Sequence, residues 1–99
     1  MNAFVEVEDQ LAALVYLEEQ GRQAEEQRVA VAEALRIARN RYREGYASYL
    51  DELDAQRNLF SAEQTVAQLR ADVLTAHVNL YRALGGGWTA EQHAAAAAR

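Results

Sequence analysis

The residues whose chemistry suits catalysis or metal binding are few and widely separated in this sequence. His77 and His93 are the only imidazoles, and neither has a second histidine four residues away, the spacing by which a helix holds zinc. The chain contains no cysteine, which excludes disulfides, thiolate ligands and a thiolate nucleophile. We therefore predict no metal site and no cofactor, and we interpret His77 as an interface or partly exposed helix residue.

Asp51 and Asp54 lie one helical turn apart, a spacing that would suit acid–base catalysis in a buried setting. Their position at the start of a predicted helix offers another explanation, because carboxylates there interact favourably with the helix dipole. The sequence has no serine–histidine–aspartate arrangement and no nucleophile elbow. The glycines 85–87 follow a helical pattern and precede no strand, so they do not form a phosphate-binding loop. We predict that the protein is not an enzyme.

Composition indicates a small helical protein. With 99 residues the chain is at most one domain, and it lacks proline while being rich in alanine, leucine, glutamate and arginine, a composition typical of long helices. The net charge of −5 argues against nucleic acid as a partner. No run of about 18 apolar residues and no signal-peptide pattern is present, so we expect any membrane connection to come from outside this chain.

A turn near the middle of the chain organises the prediction. Gly45 is the natural left-handed residue to end one helix, and the arginines before it suit a helix C-terminus. Ser48, with Asp51 three residues later, resembles a capping box that begins the next helix. We predict helices over about 3–43 and 48–84, joined by a turn at 44–48, which together make an all-α antiparallel hairpin.

Both predicted helices carry heptad seams. In the first helix the seam is interrupted by Gln10 and Arg28, and it contains Val7, Leu14, Leu17, Gly21, Ala24, Val31, Leu35, Ala38 and Tyr42. The seam of the second helix contains Leu59, Ala62, Val66, Leu69, Val73, Ala76, Leu80 and Ala83. A second seam lies beside it, at Leu50, Leu53, Phe60, Ala67, Ala71, Leu74, Val78 and Tyr81. Two seams require two neighbours, so the isolated chain should oligomerise or expose an apolar stripe.

The glycines 85–87 predict a firm end to the second helix at Leu84, because consecutive glycines are unfavourable in a helix. We expect Trp88 to pack on the preceding helix as an anchor. The hairpin then occupies residues 1–88, and the alanine-rich tail 89–99 is expected to be frayed or disordered.

Two separated motifs resemble the outer-membrane efflux protein family, to which TolC-like ducts and NodT-type efflux lipoproteins belong. The stretch from Ala34 to Arg57, with its Arg-Tyr-x-x-Gly-x-x-Ser-Tyr-Leu-Asp-x-Leu-Asp pattern, resembles the C-terminal helical hairpin of that family. The stretch from Leu80 to Trp88 resembles the ending of the NodT-type branch. The opening from Ala3 to Leu14 is similar to the helix that descends from the family's last membrane strand.

The resemblance implies a homotrimeric export duct on the periplasmic side of the outer membrane, docked on a periplasmic adaptor protein and an inner-membrane pump. Gly45 and Ser48 resemble tip residues that contact the adaptor. Tyr42, Asp51 and Asp54 resemble residues near the aperture, where side-chain bonds hold the duct closed and acids favour cations. Each has a local explanation as well: capping for the first two, packing across the turn for Tyr42, and the helix dipole for the aspartates.

The family's other helical repeat, its membrane strands and its lipid-bearing cysteine are not found in this sequence. We therefore expect a fragment of a passive export duct. The alternative is a free-standing coiled-coil hairpin that acts as an interaction or oligomerisation module. The periodicity supports both, and the two motifs favour the duct.

Overall fold

The computed structural model is all-α, with α1 (Ala3–Arg43) and α2 (Tyr49–Ala97) joined by a turn at 44–48. It describes the backbone of residues 3–97 and the side chains of residues 4–85. The all-α hairpin predicted from the sequence is confirmed, and the bounds of α1 coincide with the predicted ones. Within the described residues, neither helix contains a stretch apolar enough to cross a membrane.

The chain divides into two compact units. The tip unit, Glu19–Arg70, contains the turn, and the terminal unit combines Met1–Glu18 with Ala71–Arg99. Both units bury apolar side chains along the predicted seams. These are Leu35, Ala55 and Val66 in the tip unit, and Leu14 and Ala76 in the terminal unit.

The heptad seam of α1 is confirmed, including the polar residue that interrupts it in the tip unit. Arg28 is half-buried on the seam beside Leu35 and Val31. Its guanidinium donates to the Glu25 carboxylate, with Nε 2.9 Å from Oε2. The ion pair keeps the arginine charge hydrogen-bonded, so the seam tolerates a charged residue.

The two predicted seams of α2 have different environments. Every member of the first seam, from Leu59 to Ala83, is buried or half-buried. The second seam is mostly exposed, and Phe60, Leu74 and Tyr81 keep 63, 67 and 80 % of their surface accessible. The chain therefore fills one seam by its own packing and leaves an apolar stripe on α2 open, as predicted for an isolated chain. We call the members of this second seam the α2 stripe.

The predicted end of α2 at Leu84 is wrong, because the helix continues through the glycines 85–87 to Ala97. A glycine in a helix costs only about 1 kcal/mol relative to alanine. Extending an existing helix needs no new nucleus, and the following alanines are the best helix formers. Residues 89–97 are helical rather than disordered, while the packing predicted for Trp88 lies outside the described side chains.

Ion pairs one turn apart support the exposed face of α1. Hydrogen bonds from Arg22 and then from Gln23 hold the pKa of the Glu19 carboxyl below its ordinary value. Arg28 lowers the pKa of Glu25 in the same way, and Arg36 lowers that of Glu33. Arg22 also reaches Glu26, at 2.6 Å. Such pairs stabilise helices locally and are screened by salt.

Candidate functional site at the hairpin tip

The C-terminal end of α1 is closed by a Schellman motif centred on Gly45. The Gly45 amide donates to the Tyr42 carbonyl at 3.1 Å, and the Tyr46 amide donates to the Arg41 carbonyl at 2.8 Å. Gly45 has a φ of 81°, in the left-handed region that glycine adopts without a steric penalty. The predicted conformational role of Gly45 is therefore confirmed.

Ser48 precedes α2 and caps it through its backbone. The Asp51 amide donates to the Ser48 carbonyl at 3.2 Å, which closes the first turn. Among the described residues, the Ser48 hydroxyl makes no hydrogen bond, so the predicted capping box does not form. Its side chain is exposed and remains available to groups outside the chain.

Tyr42 packs across the turn against Tyr49, as its local explanation predicted. The ring centroids are 5.3 Å apart and the rings are tilted by 55°, a separation typical of favourable aromatic pairs. Tyr42 nevertheless keeps 45 % of its surface exposed. One face of its ring is thus committed to the hairpin, and the rest is open to solvent.

An ion pair between the two helices supports the tip, and the sequence analysis missed it. Arg39 on α1 places its Nε 3.1 Å from the Oε1 of Glu52 on α2. The Glu52 side chain is only 13 % exposed, whereas that of Arg39 is 48 % exposed. Opposite charges at similar distances before and after the Gly45 turn were the available signal.

Asp51 and Asp54 lie one turn apart near the start of α2 and are both exposed. Within the described part of the chain, neither carboxylate forms an ion pair or side-chain hydrogen bond. The structure thus gathers Gly45, Ser48 and the Tyr42 ring at the tip, with two free carboxylates on the adjoining turns of α2. Such an arrangement can attract cations or bind donors on another molecule.

His77 lies away from the tip, in the terminal unit. It is exposed, and its Nε2 lies 3.8 Å from a carboxylate oxygen of Glu18. An open apolar depression of about 380 Å³ adjoins it, lined by Val78, Tyr81, Arg82 and Gly85. The described residues contain no group of three or more histidine, cysteine, aspartate or glutamate side chains placed to hold a metal ion.

Comparison with known proteins identifies similar sequences over nearly the whole chain. A model of the outer membrane efflux protein family matches residues 1–86. The probable efflux pump outer membrane protein TtgC of Pseudomonas putida strain KT2440 is 51 % identical over 87 residues, covering 88 % of this chain and 18 % of TtgC.

Two further relatives have different printed roles. The cation efflux system protein CusC of Escherichia coli O157:H7 is 41 % identical over 87 residues, which is 88 % of this chain and 19 % of CusC. The pyoverdine export outer membrane protein OpmQ of Pseudomonas putida KT2440 is 42 % identical over 92 residues, which is 92 % of this chain and 19 % of OpmQ. The chain thus spans less than a fifth of the length of each of these relatives.

Proposed function

Because the chain belongs to the outer membrane efflux protein family, we propose that its hairpin forms part of the wall of an export duct in the outer membrane. The duct is a passive conduit, and the hairpin contributes packing surfaces and a tip rather than catalysis. By the family resemblance, the complete assembly is a homotrimer. It works with a periplasmic adaptor and an inner-membrane pump, and the hairpin lies on the periplasmic side.

The α2 stripe is the observation that carries this proposal. A wall helix of a tubular assembly touches a neighbour on each side, and α2 bears one apolar seam packed against α1 and a second one left open. Large side chains such as Phe60, Leu74 and Tyr81 are exposed on that second seam. Contiguous apolar surface of this kind marks an interaction site.

The tip geometry supports two finer assignments within the same proposal. Gly45 and Ser48, exposed in the turn, are the contact for the adaptor. Tyr42, Asp51 and Asp54 line the aperture, where free carboxylates select for cations by the same electrostatics that operates in channel selectivity rings. The exposure of both carboxylates and their lack of partners in the described chain support this role.

A thiol-accessibility experiment tests the wall assignment. The host is a hybrid of TtgC in which the matched residues of this chain replace the aligned segment. Leu74→Cys introduces a thiol on the α2 stripe, and Asn79→Cys introduces one on another face of the same helix. Both positions are exposed in the structure. We expect maleimide labelling of the Leu74→Cys hybrid in outer membranes to be much slower than that of the Asn79→Cys hybrid.

Equal, fast labelling at both positions would contradict the wall assignment. The free-standing module makes a different prediction, because a dimer of this chain would cover the α2 stripe without any other part of the efflux protein. Under that alternative, the purified 99-residue chain itself would protect Leu74→Cys at micromolar concentration.

A further inference from the structure

A groove on one flank of the tip unit combines an apolar floor with an arginine rim. It has a volume of about 390 Å³ and is lined by Ala32, Leu35, Arg36, Arg39, Asn40, Arg43 and Leu59. We call it the arginine groove. Its α1 residues recur at steps of three and four, so they follow one side of that helix for about three turns. Leu35 and Leu59, from the packed seams, form the floor.

The three arginines of the rim differ in what they bind. Arg36 donates to the Glu33 carboxylate, with Nε 3.0 Å from Oε2. Arg39 donates to Glu52, as described above. Arg43 has no ion-pair or hydrogen-bond partner among the described residues. Two guanidiniums of the groove are thus already paired with carboxylates, and the third is unpaired.

The charges near Arg43 leave its groove-facing charge uncompensated. Glu44 follows it in sequence but belongs to the turn and does not line the groove. Asp51 and Asp54 also lie outside the lining. The position of Arg43 in the last turn of α1 suits the helix dipole. That interaction uses its charge but leaves its five donors unpaired by any carboxylate.

We propose that the arginine groove binds a helical segment of a partner protein, with an apolar side chain on the floor and a carboxylate on Arg43. The length of the groove along α1 and its apolar floor favour a helix over a small inorganic anion, which would leave the floor unfilled. Charge complementarity selects aspartate or glutamate, because the guanidinium fork matches a carboxylate in bidentate geometry. The inference does not depend on the duct proposal, since a free-standing hairpin would present the same groove.

Peptide binding to the full 99-residue chain tests this inference. The probe is a fluorescent alanine-based helical peptide carrying one leucine and one glutamate four residues apart, and its twin carries glutamine instead. We expect the glutamate peptide to bind about two- to fivefold more tightly at low ionic strength, the range typical of an exposed ion pair. Arg43→Gln should abolish that preference. Arg41→Gln is the matched control, because Arg41 is also exposed but does not line the groove.

Three results would overturn the inference. Equal binding of the two peptides to the unaltered chain would exclude recognition of a carboxylate, whatever the variants do. An equal loss in the Arg41→Gln chain would mean diffuse attraction by the whole tip. Displacement of the glutamate peptide by inorganic phosphate at equal concentration would mean a site for free anions. No pump is involved, so these outcomes are independent of the thiol experiment.

Discussion

Two glycines in the tip unit occupy opposite backbone situations. Gly45 has a φ of 81° and ends α1, whereas Gly21 lies inside α1 on the heptad seam. A Cβ added at Gly21 would have no heavy atom within 4 Å other than its own helix and chain neighbours. Gly21 therefore does not mark a close approach of the two helices, a possibility that the sequence left open.

Alanine substitutions at these two positions should change stability in opposite directions. Gly21→Ala removes backbone entropy from the unfolded chain and should stabilise the protein by about 0.5–1 kcal/mol. Gly45→Ala places a Cβ in the left-handed region and should destabilise it by about 1–2 kcal/mol. Urea unfolding followed by circular dichroism measures both. A shift of the same sign in both variants would contradict the assigned roles.

The aperture assignment of the two free aspartates is tested by reversing their charge. In the TtgC hybrid, Asp51→Lys combined with Asp54→Lys should shift the ion selectivity of single channels in planar bilayers from cations toward anions. The matched control is Glu63→Lys, an exposed acidic position on the same helix away from the tip. Selectivity that stays unchanged in the double variant, or changes equally in the control, would remove these residues from the aperture.

At the scale of the helices, the heptad pattern decided most of the structure correctly. The spacing of Val66, Leu69, Val73 and Ala76 requires one packed face, and that face is the one that α1 covers. The end of α2 was mispredicted because local glycine cost was weighed without the cooperativity of a 49-residue helix.

Contacts across the turn were harder to predict than the seams. The Arg39–Glu52 ion pair and the identity of the Tyr42 ring partner depend on how the Gly45 turn rotates α2 against α1. No periodicity within either helix encodes that rotation. The individual residues of the tip could be recognised from the sequence, whereas their pairing required the three-dimensional turn.

The ion pairs of α1 predict a dependence of helix stability on pH. The pKa values of Glu19, Glu25 and Glu33 are lowered by their arginine partners. A lowered pKa in the folded state means that the stabilisation is fully present above the ordinary glutamate pKa of about 4.3 and is lost as the pH falls through the lower folded value.

We therefore expect the thermal midpoint of the chain to fall as the pH drops from about 5 to below 4. Replacing the three glutamates by glutamine should flatten this part of the profile and lower the midpoint at neutral pH. Melting curves followed by far-ultraviolet circular dichroism measure both effects. An unaltered acid profile in the triple variant would mean that other carboxylates control the transition.

At the scale of the whole molecule, the chain has few buried side chains and a large amount of exposed apolar surface. The described residues include five buried hydrophobic side chains, which matches two helices that share one seam. The α2 stripe remains open, and family membership indicates what covers it: the neighbouring helices of an efflux duct. The stripe itself was predictable from the second heptad seam, but its occupant was predictable only from the resemblance.

The most direct measurement of the duct proposal is export by the TtgC hybrid in a Pseudomonas putida strain that lacks its own copy. The TtgC of a second Pseudomonas putida strain is named as a toluene efflux pump outer membrane protein, so survival in toluene provides the readout. We predict that the hybrid restores most of the tolerance, and that its Gly45→Val variant restores little because a β-branched residue is strained in the left-handed conformation. A hybrid that reaches the outer membrane at normal abundance and restores no tolerance would contradict the proposal that this hairpin is a working part of an export duct.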